Sequence, residues 1–479
     1  MKITGHSAES IFDSIREGIG EGRLPAGSVL PPVRELAEQL GVNRNTVAAA
    51  YKRLDAAGLA STAGRRGTVV RGLPPPLARE GSTPGLALQD LAGGNPDPRL
   101  LPNLRLAPAA PRLYGVGTVD PRLQALARAS LDADCPAGYA LELTHGAVDG
   151  IERLLAAWLL PGDRIAVEDP CFLGSLNVLN AVGHAPLPVA VDAHGMQVES
   201  LRQALEAGAR AVLLTPRAHN PTGASLDAKR ARALRQLLAA YPQVAVLVDD
   251  HYALLSQQAY HSVLPLDGRR WALLRSLSKP LGPDLRLAWL ACDEETAMRL
   301  RLRLASGTGW VSHLLQDAAT SVLASATQRA KIASAGERYQ QRLQSLQELL
   351  RARGMPTPLP MEGLNLWLPL SADSHPQVLA LASRGWHVRA GEVFAVAAPG
   401  HGLRITCAAL GTTQLRQLAD DLAAVCVSVF SKGGGGLKSV EHGSTLQKPI
   451  RARRWRQGAR SRTGRCHRRT SAPACPARR

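Results

Sequence analysis

Two stretches of the chain concentrate side chains able to do chemistry. In SLSKPLGPDLRL, residues 276–287, the amine of Lys279 stands seven residues ahead of the guanidinium of Arg286, with the hydroxyls of Ser276 and Ser278 beside it. An amine is a nucleophile toward an aldehyde, and a planar, bidentate cation suits a dianionic phosphate. Alone, Ser-x-x-Lys carries little weight, because exposed lysines are common. Pro280 biases the backbone of Lys279 toward an extended conformation. Near the N-terminus, Asn43, Arg44, Asn45 and Thr46 crowd the start of one helical pattern; Arg34 lies on the pattern before it, and Lys52, Arg65 and Arg66 follow. Side chains and amides at a helix start reach base edges and phosphates, and the outlying cations add backbone contacts. A solvated basic face on a small helical domain is the competing reading, and the turn and wing around these residues count against it.

The elements that must position these groups follow from periodicity. Residues 9–21 place Ile11, Phe12, Ile15 and Ile19 on one helical face, and Gly27, Pro31 and Pro32 then break the chain. A second helix spans Val33 to Leu40 and stops at Gly41. Asn43 caps a third, residues 44–57, with Val47, Ala50, Tyr51 and Leu54 inward. Two short helices about a glycine turn, followed by short strands flanking Gly-Arg-Arg-Gly, describe a winged helix-turn-helix. LPPPLAREGSTPG, residues 73–85, is a linker by composition. From 88 to 428, apolar runs alternate with amphipathic helices: RIAVED, AVLLTP, VAVLVDD, WALLRSLS and RLAWLAC. Such runs with helical spacers indicate a mainly parallel sheet covered on both faces. Long helices between roughly 295 and 353 lead to LNLWLPL, HVRAGEVF and GLRITCAAL and a helix from 412, a smaller α+β lobe. Hence the domains expected are 1–72, a linker at 73–87, a large α/β domain at 88–428, and a tail at 429–479.

The net charge of +18 suggests nucleic acid, but its distribution matters more. Residues 431–479 hold 14 Lys and Arg against one acid, Glu441, which leaves +5 for the rest. This Gly-, Ser-, Pro- and Arg-rich tail lacks hydrophobic periodicity and is expected to be disordered. It reads either as a nonspecific phosphate-binding arm or as a read-through extension; its abrupt change of composition after a helix that ends a domain favours the second. The seven cysteines are scattered with no CxxC spacing, which argues against a disulfide framework or zinc site, so no metal is expected. With neither a signal pattern nor an 18-residue apolar run, the expected location is the cytoplasm.

GRLPAGSVLPPVRELAEQLGVNRNTVAAAYKRLDAAGLASTAGRRGTVV resembles the winged helix of GntR-type transcription regulators. The 276–287 segment is similar to the lysine segment of fold type I aminotransferases. That resemblance implies an imine between Lys279 and pyridoxal 5′-phosphate, with Arg286, Ser276 and Ser278 on the phosphate. HNPTG at 219–223 resembles that family's Asn-Pro-Thr-Gly turn, which puts Asn220 on the cofactor's ring hydroxyl. VLVDDHY at 246–252 resembles the segment whose Asp pairs with the pyridine nitrogen and whose Tyr, three residues on, contacts the ring oxygen. The spacing selects Asp249 and Tyr252, with Asp250 either an alternative or solvent-facing. His251 replaces the small residue common there and lies either against the ring or in ordinary packing. LTHGAVDGIERLL implies phosphate-binding amides at Ala147 and Val148. Phe172 of VEDPCFLG either stacks on the ring or fills the core, Arg404 of HGLRIT binds a substrate or effector carboxylate, and Tyr114 reaches the neighbouring subunit's phosphate.

A GntR-like head followed by an aminotransferase-like domain is the architecture of MocR regulators, and the resemblance covers residues 1 to about 428. It implies a homodimeric, operator-binding repressor sensing vitamin B6, with pyridoxal 5′-phosphate or another B6 vitamer or amine as effector and B6 salvage, such as a pyridoxal kinase gene, as target. A working aminotransferase carrying a DNA-binding head is the alternative, and slow or absent transamination is what the regulator reading expects. A nucleic-acid-binding protein dominated by its basic tail leaves the cofactor motifs unexplained.

Overall fold

The computed structural model describes residues 3–431 except 26, 58, 63–66, 71–79, 82–84, 86, 105–110, 266–267, 356, 358–360 and 398–399. Arg65 and Arg66, most of the linker and the basic tail therefore lie outside the described residues.

The head comprises α1 (Ala8–Gly20), α2 (Val33–Leu40), α3 (Arg44–Ala56) and the antiparallel strands β1 (Ala60–Thr62) and β2 (Thr68–Val70), in register Ala60 to Val70. Local chemistry sets each boundary. The Ser7 hydroxyl accepts from the Ser10 amide at the start of α1, Gly41 adopts a left-handed φ of 66° to close α2, and Asn43 Oδ1 accepts from the Asn45 amide at 2.9 Å to open α3. Ile11, Ile15, Ile19, Leu36, Val47, Ala50, Tyr51 and Leu54 meet in a core drawn from residues between Ile3 and Val70. Phe12 is half-buried beneath the guanidinium groups of Arg16 and Arg53.

The large unit begins at β3 (Gln89–Asp90) and α4 (Pro121–Leu131). Then come β4 (Ala140–Thr144), α5 (Ala147–Trp158), β5 (Arg164–Asp169), α6 (Leu173–Val182), β6 (Ala185–Asp192), β7 (Gly195–Met196), α7 (Val198–Glu206), β8 (Ala211–Leu214), α8 (Ala228–Ala239) and β9 (Ala245–Asp249). β10 (Trp271–Ser276), α9 (Ser278–Leu281), β11 (Ala288–Cys292), α10 (Glu294–Ala305), α11 (His313–Ala324) and α12 (Ala326–Arg351) complete the main layer. Its sheet has the order β4-β11-β10-β9-β8-β5-β6-β7. β10, β9, β8, β5 and β6 are mutually parallel, whereas β11 pairs antiparallel with both β10 and β4. The eleven residues between β10 and β11 are too few for a crossover helix, so the chain turns straight back. That turn holds both Lys279 and Arg286. Lys279 is helical, not extended as Pro280 had suggested: the proline falls in the first turn of α9, where its missing N–H would have had no partner. β6 was not anticipated, because Pro186 and Pro188 disguise it; it is tolerated near the sheet edge.

A smaller lobe carries β12 (Asn365–Pro369), α13 (His375–Ala382), β13 (Trp386–His387), β14 (Arg389–Ala390), β15 (Gly402–Thr406) and α14 (Thr412–Ser431), with β12, β15 and β14 forming an antiparallel sheet. HVRAGEVF, expected as one strand, divides into β13, β14 and a 3-10 turn, Gly391–Phe394. Among the described residues no helix is long and apolar enough to cross a membrane.

Candidate ligand-binding site and DNA-reading face

Parallel strands end along one edge of a sheet, and loops there enclose the crevice where open α/β folds take ligands. Along that edge lies a cavity of about 720 Å³ lined by Ala147, Val148, Phe172, Asn177, Thr215, Asn220, Asp249, His251, Ser276, Ser278, Lys279 and Arg286, with Glu80, Gly81, Gly93 and Asn95 from the segment entering the large unit. Residues nominated from several separate sequence stretches thus converge.

The two adjacent aspartates separate cleanly. Asp250 is wholly buried and does not face solvent: both its oxygens are taken by Arg217, at 3.0 and 2.6 Å, and Arg275 reaches Oδ2 at 2.9 Å. Asp249, at the end of β9, lines the cavity, and its buried Oδ1 has no hydrogen-bond partner among the described residues. Burial, with the Asp250 charge adding to it, pushes the Asp249 carboxyl up to about 7. Burial also drives His251 down to about 4, leaving a neutral imidazole on the wall.

At the opposite end, α5 begins without a side-chain cap. Its first-turn amides have no intrahelical acceptors, so this is an anion-seeking terminus. Gly146, at φ 88°, lies against Arg286 so closely that a Cβ there would be 3.3 Å from the guanidinium carbon. The dihedral favours glycine, and a Cβ would also crowd the guanidinium. Arg286 itself has a φ of 46°. Ser276 accepts from the Ser278 amide at 3.2 Å, which holds the two hydroxyl-bearing residues together.

Between the ends, Lys279 Nζ donates to the Gly94 carbonyl at 2.7 Å. Burial lowers its ammonium below the ordinary lysine range, Arg404 acts in the same sense, and Glu80 and Asp249 oppose it. Phe172 is half-buried and faces the cavity, with Gly174 leaving room for its ring. Tyr252 does not line the main cavity; it borders a small adjoining cleft with Lys279 and Asn220. Tyr114 lies outside the cavity, 92% exposed, edge-on to Trp310 with ring centroids 5.8 Å apart.

Arg404 on β15 is fully buried, stacked at 5.0 Å on Phe394, and forms a two-pronged ion pair with Glu80: Nη1 to Oε1, and Nη2 to Oε2 at 2.8 Å. Nη1 also donates to Asn220 Oδ1 at 3.2 Å. Burial would raise the Glu80 carboxyl, but the Arg404 charge and hydrogen bonds, helped by Lys279 and Arg389, hold it below its ordinary value. Sequence reasoning missed Glu80 entirely, because it sits in a Pro-rich stretch that reads as linker.

In the head, Arg44, Asn45 and Lys52 are exposed on α3, and Thr46 is half-buried. Asn43 spends its side-chain oxygen on the cap. Arg34 is exposed on α2 and pairs with Glu38 one turn on, at 3.1 Å.

These features define a winged-helix reader joined to an aminotransferase-type domain. Residues 7–70 match the bacterial regulatory proteins of the gntR family, and residues 138–422 match aminotransferase class I and II. The chain belongs to the GntR-type transcription regulators that carry such a domain, the MocR type. It is 52% identical over 425 residues to the vitamin B6 salvage pathway transcriptional repressor PtsJ of Salmonella typhimurium, covering 88% of this chain and 98% of that protein. It is 29% identical over 433 residues to the HTH-type transcriptional regulator TauR of Rhodobacter capsulatus, covering 79% and 88%. The large unit shares its fold with the kynurenine aminotransferase of Pyrococcus horikoshii: TM-score 0.64 at 21% identity, over 72% of this chain and 92% of that one.

Proposed function

We propose that this regulator is a cytoplasmic repressor whose large domain holds pyridoxal 5′-phosphate and reports vitamin B6 status to the head, B6 salvage genes being its targets. The observation that carries the reading is Asp249. A buried carboxylate oxygen with no partner, facing a cavity, costs free energy unless a ligand supplies a donor, and a protonated ring nitrogen is such a donor. The far end fits the same ligand, since Arg286 and the uncapped start of α5 suit a phosphate. When bound, the cofactor supplies an electrophilic aldehyde and an electron-withdrawing ring. Lys279 presents its amine to that aldehyde, Asp249 holds the ring nitrogen's proton, and Asn220 takes the ring hydroxyl. Tyr252, from its adjoining cleft, supports the same side. Phe172 and His251 bound the ring, and Ala147, Val148, Ser276 and Ser278 complete the phosphate cradle.

In the head, Arg44, Asn45 and Thr46 read base edges in the major groove; Arg34, Lys52, Arg65 and Arg66 add contacts to the DNA backbone. A homodimer is supported by exposed Leu113, Tyr114, Val116 and Leu314 around a surface cleft of about 320 Å³ with Trp310, an apolar patch that a second copy would cover.

The test is an operator titration at fixed salt with and without pyridoxal 5′-phosphate. A coupling of about 1–3 kcal/mol, roughly 5- to 150-fold in affinity, is expected. Operator affinity indifferent to the cofactor, together with rapid multiple turnover of an amino donor, would point to an enzyme instead.

A further inference from the structure

A fully buried guanidinium needs an anion, and in a sensor the anion it holds decides what else the site accepts. Around Arg404 that anion belongs to the chain itself. Both Glu80 oxygens engage Arg404, and the Asn220 side-chain amide lies 3.4 Å from Oε1. The fit is built on both sides. The Gly81 amide donates to the Gly93 carbonyl at 2.9 Å, docking the segment by its backbone. Gly94, at φ 65°, leaves the space into which the carboxylate projects: a Cβ there would lie 2.5 Å from Glu80 Oε2. The carbonyl of the same Gly94 accepts from Lys279. The remaining direction of Arg404 Nη2 is taken by the Ala92 carbonyl. Both terminal nitrogens of Arg404 are therefore committed before any ligand arrives.

We propose that Glu80 is an internal carboxylate that fills the Arg404 site and makes the cavity selective for aldehydes and amines lacking a carboxylate, excluding amino acids. This rests on the cofactor reading above and narrows its effector class to B6 vitamers and simple amines. An amino acid would enter by displacing Glu80 from Arg404. It would gain one charge-assisted pair and lose another, so little net affinity remains for its carboxylate.

The experiment uses the full chain and the variants Glu80→Ala and Glu80→Gln, each first shown to keep the wild-type circular dichroism. In the first arm, cofactor-free protein is titrated calorimetrically with propionate, a carboxylate without an amine. In the second, protein loaded with pyridoxal 5′-phosphate is titrated with alanine and with ethylamine, following the visible spectrum. Wild type should show no propionate binding and should respond to alanine no better than to ethylamine. Both variants should bind propionate, and their response to alanine relative to ethylamine should tighten by about 10- to 100-fold over wild type, the worth of one freed charge-assisted contact. Wild type that binds propionate and alanine as tightly as the variants would overturn the proposal. Wild type that shows no cofactor band would overturn the cofactor reading instead, and the propionate arm, which needs no cofactor, would still decide on Glu80.

Discussion

Replacing Asp249 by asparagine removes a charge while keeping the side chain's shape, and its effect on the cofactor-free protein can be worked out from burial. The folded carboxyl titrates near 7 instead of 3.8. Below pH about 4 it is protonated in folded and unfolded chains alike and contributes nothing to pH dependence. As pH rises from about 4 to 7 the unfolded chain sheds the proton while the folded one retains it, so stability falls across that window and is level above it. At about 1.4 kcal/mol per unit, the loss is at most about 4 kcal/mol. The amide of the Asp249→Asn variant has no such titration, so the difference between variant and wild type should grow in the variant's favour by about 2–4 kcal/mol between pH 4 and 8. Any constant cost of a poorly bonded amide cancels from the slope. Urea denaturation at several pH values, comparing midpoints of the large domain's transition, measures it. With pyridoxal 5′-phosphate bound the order should reverse, because the carboxylate gains its partner. Parallel pH profiles for the two cofactor-free proteins would refute the reasoning.

Lys279→Ala should abolish the visible absorption band that pyridoxal 5′-phosphate gives with wild type, and borohydride should fix the cofactor to Lys279 and to no other lysine in a peptide map. Arg286→Ala should weaken cofactor binding by about 1.5–3 kcal/mol in equilibrium dialysis, and Gly146→Ala should also weaken it, since its Cβ would press on the same guanidinium. Arg44→Ala or Asn45→Ala should cost about 1–3 kcal/mol of operator over nonoperator discrimination in competition titrations. Asn43→Ala should instead lower the head's melting temperature by removing a cap worth about 0.5–2 kcal/mol.

The parts of this molecule set by local chemistry were legible in its sequence. Gly41 and Asn43 mark the turn of the head because a left-handed residue and an amide-bonding cap act over a few positions. Lys279 and Arg286 could be paired because one short connection carries both to the same sheet edge. Spacing selected Asp249 but left Asp250 as an alternative; what it could not reveal is that Asp250 is bound by Arg217 and Arg275, contacts reaching across the sheet. Glu80 was invisible for the same reason carried further: nothing near it in sequence distinguishes a linker acid from the partner of a buried arginine in another lobe. β6 hid behind its prolines, which sheet-edge placement permits and local propensity forbids.

The head's core, closed within residues 3–70, has a consequence for the order in which the protein is made. Ribosomes add about 5–20 residues per second, and N-terminal domains generally fold first. The stretch from Glu80 to Arg404, 324 residues, therefore takes on the order of 16–65 s to emerge. Throughout that time the reader of DNA can fold while one wall of its sensor is still unsynthesised. Ligand control arrives last in the life of each molecule, and a chain halted before Arg404 would carry a head without its regulator.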